Sequence, residues 1–364
     1  MASYKKFLQV GIALDPIHVG TGGARIGRVD LTIVRDPVTQ VPKIPGSSLA
    51  GVYRTYVAMH YEENRQQQIQ QATQSKQQFQ GRPKPFYPDC AGLGLDTNRG
   101  HCRGRDCPVC TVFGFARGAG QEGGFAGLAA FTDAQVLLFP VPTRQGPMWV
   151  TCPMALQMIG LTVKGVDDEA VYVEQEGNPL NLGWLLLETR TCNQMGNIKS
   201  GLGSLKVPDY VHNRLALVPD RLFAHIVNSN LEVRTSVSID PATGAAEERA
   251  LFSYEALPRG TVLVWEIICK NPAHFKVGGQ DINVTMDSGG RMDAPDKVHQ
   301  IAQKAHPYLE HLGIGGMGTR GMGRLKVLQE STDTKAVSCQ EGQPSHEPTA
   351  SGTAPQEGGS HEQG

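Results

Sequence analysis

The chain has 364 residues, 40% hydrophobic and 19% charged, an ordinary globular balance with room for one large or two medium domains. Its formal net charge is −1, but six acids and one lysine fall after residue 329, leaving 33 basic against 29 acidic residues, or +4, in the remainder. So small a surplus excludes an indiscriminate polyanion binder while permitting local RNA contact, and no apolar run is long enough to cross a bilayer.

Phe7 to Val19 alternates and predicts a first strand. Gln9 and Asp15 interrupt its apolar run and no small-residue cleavage site follows, so a signal peptide is not expected and the chain reads as cytoplasmic. The next stretch, His18 to Arg54, is the most informative. Gly20, Gly22 and Gly23 let the backbone approach a ligand, and Arg25 and Arg28 add charge beside the exposed amides, a setting for phosphate. Asp30 follows between Arg28 and Arg35, ahead of the strand-like Leu31–Val34. By itself it reads first as a surface ion pair or a turn Asp. Pro45-Gly46 ends the extended run, and Ser47-Ser48 precedes Leu49, Val52, Tyr53, Tyr56 and Val57 at helical spacing, predicting a capped helix over 47–61. Its free N–H groups favour an anion.

Residues 62–88 form an insertion whose core, 62–80, holds nine glutamines in its last fifteen residues and cannot bury a face; it reads as an exposed helix or a disordered stretch. Residues 89–110 follow with Cys90, Cys102, Cys107 and Cys110 spaced C-x11-C-x4-C-x2-C, and His101 beside Cys102. Four thiolates, or three and an imidazole, make a closed tetrahedral site, so this segment predicts a structural zinc knuckle with Cys90 or His101 as the remaining ligand.

Leu128 to Pro142 predicts a strand interrupted at Asp133, and Trp149 to Leu161 a strand followed by a helix. Asn213 to Leu257 carries a hairpin pattern, with arms Leu231–Ile239 and Ala250–Tyr254 around a Pro-Ala-Thr-Gly turn. Thr261 to Cys269 is continuously apolar and predicts a buried central strand. Ala294 to Leu312 is an amphipathic helix with Pro295 at its start, Gly313 after its end and a bend expected at Pro307.

Gly313 to Gly323 then packs six glycines around Arg320. Gly316, Gly318 and Gly321 match the letters of a dinucleotide loop, but here the loop follows a helix and opens a strand, Leu325–Leu328, the reverse of that motif's context. It reads instead as a backbone loop for a sugar-phosphate chain. Residues 331–364 predict a disordered tail.

This order, strand, helix, two strands, helix, strand, predicts an α+β fold with a ferredoxin-like (RRM-like) βαββαβ palm over 1–61 and 111–330, carrying insertions, a thumb hairpin within about 213–257 and the zinc knuckle.

Taken together, HVGTG (18–22), GRVDLTIVRD (27–36), IPGSSLAGVYR (44–54), VFG (112–114), FTDAQVLLFPVPTRQGPMWVTCP (131–153), LFSYEALPRGTVL (251–263) and the loop at 313–323 resemble the RAMP superfamily of CRISPR proteins. In particular they are similar to the backbone (fourth) subunits of type III-B Cmr complexes. The resemblance implies copies stacked helically along a guide RNA with other type III subunits, each thumb kinking the guide–target duplex, and no membrane partner. It implies cleavage of single-stranded target RNA at regular intervals by Asp30 with Mg2+ or Mn2+, with His18 and Glu255 near the cut. The guide would lie on Gly20, Gly22, Arg25, Lys43, Ser47, Ser48, Arg54, Gly316, Gly318, Arg320 and Gly321. The family's usual lysine in the helix-start motif is Ala50 here, which throws weight onto Lys43 and Arg54. A scaffold that binds guide RNA without cutting is the alternative.

Overall fold

The computed structural model describes residues 2–22, 29–79, 81–92, 100–116, 123–166, 169–247 and 251–328. Gly23, Arg25, Arg28 and the predicted tail lie outside them.

The first strand, β1 (Tyr4–Ala13), stops well before Val19, because Asp15 and Pro16 turn the chain where a continuous ladder was expected. The first helix, α1 (Gly46–Gln74), begins one residue earlier and runs thirteen residues further than 47–61. Gln, Glu, Ala and Arg are good helix formers, and Glu62 supports the extension by accepting from Arg65 at 2.8 Å and Gln66 at 2.7 Å. Ser47 and Ser48 do not cap α1. Pro45 holds the cap position without a side-chain bond, and Asp133, distant in sequence, accepts the Gly46 N–H at 2.8 Å. Glycine is required there, since a Cβ would overlap the Phe131 carbonyl oxygen.

A short helix in the cysteine segment, α2 (Pro108–Phe113), leads to the strands β2 (Ala134–Thr143) and β3 (Gly146–Thr151), a hairpin in register from Phe139–Val150 to Thr143–Gly146. β4 (Leu215–Leu217) pairs parallel to β3. The hairpin expected as the thumb consists of β5 (Glu232–Ser236) and β6 (Phe252–Ala256), antiparallel, with the 241–244 turn between their extensions. β7 (Val262–Lys270) is the buried central strand: β1 pairs along its length on one side and β2 on the other, both antiparallel. The last helical region divides into α3 (Pro295–Ala302) and α4 (His306–His311), separated by a single 3-10 turn just before Pro307. β8 (Leu325–Val327) closes the sheet on the far side of β1.

Across the sheet the order is β8-β1-β7-β2, then β3, β4 and three strands at Ala170–Val173, Leu185–Thr191 and Leu180–Leu182. This last extension was not anticipated; its strands are three to seven residues long, too short for a two-residue period to stand out. One face of the sheet is covered by α1 and α3: Phe7 stacks on His299 at 3.9 Å, and Tyr53 lies between Phe131 and His306. The main core runs through this layer, whereas Tyr254, Ala256 and Met322 form a separate small cluster with Leu31, Phe252 and Met317.

A candidate nucleic-acid interface and a cysteine cluster

That small cluster ties three segments together: the Asp30 loop, thumb strand β6 and the C-terminal glycine loop. Leu31 forms a parallel bridge with Tyr254, its N–H donating to the Ser253 carbonyl at 3.1 Å and its carbonyl accepting the Glu255 N–H at 3.0 Å. This pairing sets Asp30 beside Ser253. The Ser253 N–H donates to Asp30 Oδ2 at 2.7 Å and its hydroxyl to the same oxygen at 2.9 Å, while the Asp30 N–H reaches Ser253 Oγ at 3.3 Å. Asp30 remains exposed. The bonds from the Ser253 backbone and hydroxyl hold its carboxyl below the ordinary carboxylate range, so it is ionised at neutral pH.

His18 and Glu255 occupy the same seam but face inward. His18 is buried, its Nδ1 sits 2.6 Å from the Glu255 carbonyl oxygen, and its ring meets Tyr254 edge-on. The Glu255 carboxylate accepts from the Ile33 N–H at 3.2 Å and pairs with Arg35 at 2.9 Å; Arg35 also donates to Asn228 at 2.8 Å. Both residues brace the thumb base and leave Asp30 as the exposed acid between them.

The glycine loop docks on this seam through its backbone. The Gly316 N–H donates to the His18 carbonyl at 2.9 Å, and Gly315, at φ 91°, lies so close that a Cβ would overlap that oxygen. Gly318 and Gly321 face open space, in keeping with room for a chain alongside. Arg320 lies 5.5 Å from the centre of the Phe252 ring, a cation–π contact across to the thumb. Gly20 bridges to Ile33, and Gly22 has positive φ with nothing near its Cβ position.

The helix-start cations are engaged elsewhere. Lys43 is largely buried, 2.6 Å from Asp133 and 3.3 Å from Asp36, so its charge is balanced by two acids. Arg54 donates from Nε to the Cys90 carbonyl at 2.7 Å and lies 2.8 Å from His101 Nδ1. It serves the cysteine segment. Ser47 is exposed and Ser48 half-buried at the N-terminus of α1.

Cys90, Cys102, Cys107 and Cys110 bring their sulfurs within 4.8 Å of one another, three of them buried. This set can hold a metal ion. Of the two sequence alternatives for the remaining ligand, Cys90 lies in this group of sulfurs, whereas His101 is turned to Arg54, and burial with the Arg54 and Arg103 charges pushes it down to about 4. Burial pushes the Cys107 thiol up, while hydrogen bonds among the sulfurs pull the Cys102 thiol down, as expected for acids crowded into one small site. Arg82 approaches Cys90 Sγ at 3.6 Å, so two guanidinium groups border the cluster.

Sequence reasoning overlooked Ser253, whose role depends on a pairing more than 200 residues from Asp30. Arg324, the residue after the glycine loop, grips Asp15 at 3.1 Å. Among the described residues no helix is long and apolar enough to cross a membrane.

A mainly antiparallel α+β sheet with a projecting hairpin, and a glycine loop that reaches the strand beside one exposed acid, define the class of protein to which the chain belongs. The chain belongs to the RAMP superfamily, whose family model matches residues 12–326. It is 23% identical to the Cmr endoribonuclease Cmr4 of Pyrococcus furiosus over 90% of this chain and 97% of that one. A shorter stretch, 16% of the chain and 28% of the relative, is 43% identical to the endoribonuclease Csm3 of Enterococcus italicus. Among solved structures, the fold is similar to a chain of the type III-B Cmr-beta complex in its apo state, with a TM-score of 0.53 at 16% identity, covering 88% of this chain and 96% of that one. A crystal structure of Cmr4 gives a TM-score of 0.50 at 18% identity, covering 89% and 100%.

Proposed function

We propose that this protein is a guide-RNA-binding backbone subunit of a type III CRISPR complex in the prokaryotic cytoplasm, and that it cuts complementary target RNA through Asp30. The β8-β1-β7-β2 order with α1, α3 and α4 supports reading the palm as ferredoxin-like. The observation that carries the reading is the exposed, ionised Asp30 carboxylate at the thumb base, bordered by the Gly20–Gly22 and Gly313–Gly323 loops.

The guide would run along the two glycine loops, with Arg320 beside it and the Ser47–Ser48 amides at the positive end of α1. The target strand would reach Asp30 where the thumb splays the duplex. There a 2′-hydroxyl attacks its neighbouring phosphorus: the hydroxyl gives its proton to water as the O2′–P bond forms, the P–O5′ bond breaks, and the 5′-oxygen leaves with a proton taken from water, so that a 2′,3′-cyclic phosphate and a 5′-hydroxyl result. Such in-line attack is open to an unstacked nucleotide and closed to a regular duplex.

The low position of its carboxyl equilibrium makes Asp30 a weak proton acceptor and a good anchor for charge. One hard carboxylate oxygen fits Mg2+ or Mn2+ only where RNA oxygens and water complete the shell, and a bound divalent ion would supply charge stabilisation at the phosphate. The four cysteine thiolates fit structural zinc, being soft, mutually close and without an open position.

The test is cleavage by the assembled complex carrying Asp30→Ala. Regular cuts should vanish while target binding persists. Continued cutting would leave this chain a guide-binding scaffold.

A further inference from the structure

We infer that Ser253 is the positioning residue of the cutting site, fixing Asp30 to the thumb strand so that cleavage follows the seating of the thumb. This deepens the reading of Asp30 proposed above and rests on it.

Among the described residues, Ser253 is the residue that Asp30 bonds across the seam: two bonds are received at Oδ2, from N–H and hydroxyl, and one is given from the Asp30 N–H to Oγ. Among the described residues no other side chain or neighbouring backbone holds the carboxylate in this way. Among the described residues Oδ2 is therefore committed, and Oδ1 is the oxygen left for RNA or a hydrated ion. The clamp belongs to β6, which is also where the glycine loop attaches: Phe252, before Ser253, lies under Arg320, and Tyr254, after it, packs with Met322. Leu31, the residue after Asp30, joins the same cluster and pairs with the same strand.

Asp30, the thumb strand and the glycine loop are thus joined through one small cluster distinct from the main core. A thumb displaced from its seat would carry the carboxylate with it. A duplex that seats the thumb would set Oδ1 in place at the same moment, giving a physical reason for cutting only where a thumb is inserted. Ser253 acts on the reaction through Asp30; its hydroxyl sets the carboxylate's rotamer and keeps one oxygen occupied.

The test uses the assembled complex with a complementary target RNA under single-turnover conditions, comparing the parent with Ser253→Ala, Ser253→Thr and Asp30→Ala while target affinity is measured in parallel. Removing the hydroxyl from an ionised partner should slow cutting about tenfold. Target affinity should not change, the divalent-ion concentration giving half-maximal rate should rise, and Ser253→Thr, which keeps the hydroxyl, should recover most of the rate. Parent-like cutting by Ser253→Ala, in a complex that Asp30→Ala inactivates, would overturn this inference and leave the Asp30 assignment standing. A parallel loss of rate and affinity, unrelieved by threonine, would also overturn it, since Ser253 would then be only a strut of the thumb. Cutting by Asp30→Ala would instead remove the assignment beneath both.

Discussion

The thumb seam and the cysteine cluster are built from similarly polar, glycine-rich sequence, yet they end in opposite physical states. Around Cys90–Cys110 the functional atoms point inward: sulfurs are buried, Arg54 and Arg82 close over them, and even the backbone carbonyl of Cys90 is taken. At the seam the inward-facing groups, His18 and Glu255, are braces, and the one acid left exposed is held by a neighbouring strand. Closure suits a staple and openness suits a site that must admit RNA, so burial separates the two roles more sharply than residue type does.

The largest effect that would sharpen this contrast is at the cluster. Cys110→Ser removes a buried thiolate from a site whose metal binding is worth on the order of 10 kcal/mol in small zinc folds, so metal content should fall below one ion per chain and residues 89–110 should lose amide protection first. Retained protection and an unchanged melting temperature would show that the segment folds without metal.

At the seam, Gly315→Ala places a Cβ against the His18 carbonyl at a left-handed φ of 91°, costing about 3 kcal/mol or more. It should loosen the glycine loop and weaken guide RNA retention in filter-binding assays, with the cluster's metal content untouched. Equal loss of both would mean that the two regions are not independent.

A smaller effect lies in the palm core between them. His299 and His306 are buried, and burial pushes them down to about 4 and about 3. A histidine whose folded equilibrium lies below its unfolded one favours folding fully above about pH 6.5, and this contribution fades as pH falls through 6.5 toward 3. Denaturant midpoints should therefore drop below pH 6.5, by up to about 1.4 kcal/mol per pH unit for each histidine, and His306→Gln should flatten the slope. Asp30 is also shifted down, but from a lower starting point: its ionised form is already populated well below neutrality, so cutting between pH 6 and 8 should show no titration step from it.

Much of this was legible in the residues. Continuous hydrophobicity from Thr261 to Cys269 marked the central strand, Pro295, Pro307 and Gly313 punctuated the last helical region, and the Pro-Ala-Thr-Gly turn located the thumb. The cysteine spacing announced its own cluster. What stayed hidden was decided by tertiary pairing. Ser47 and Ser48 look like caps, but Asp133 reaches the helix start first. Lys43 and Arg54 look like phosphate ligands, but acids and the cysteine segment take their charge. Ser253 carries no local signal at all, because its meaning comes from a parallel bridge between Leu31 and Tyr254 that no spacing encodes.

The most direct measurement is the cleavage pattern of the assembled complex carrying Asp30→Asn, which keeps the size of the side chain and an oxygen for Ser253 but removes the charge. Regularly spaced target fragments should fall by at least about a hundredfold in rate, on the scale of a lost electrostatic catalytic group, with target affinity unchanged. Fragments appearing at the parent rate and spacing would contradict the assignment of the cut to this carboxylate.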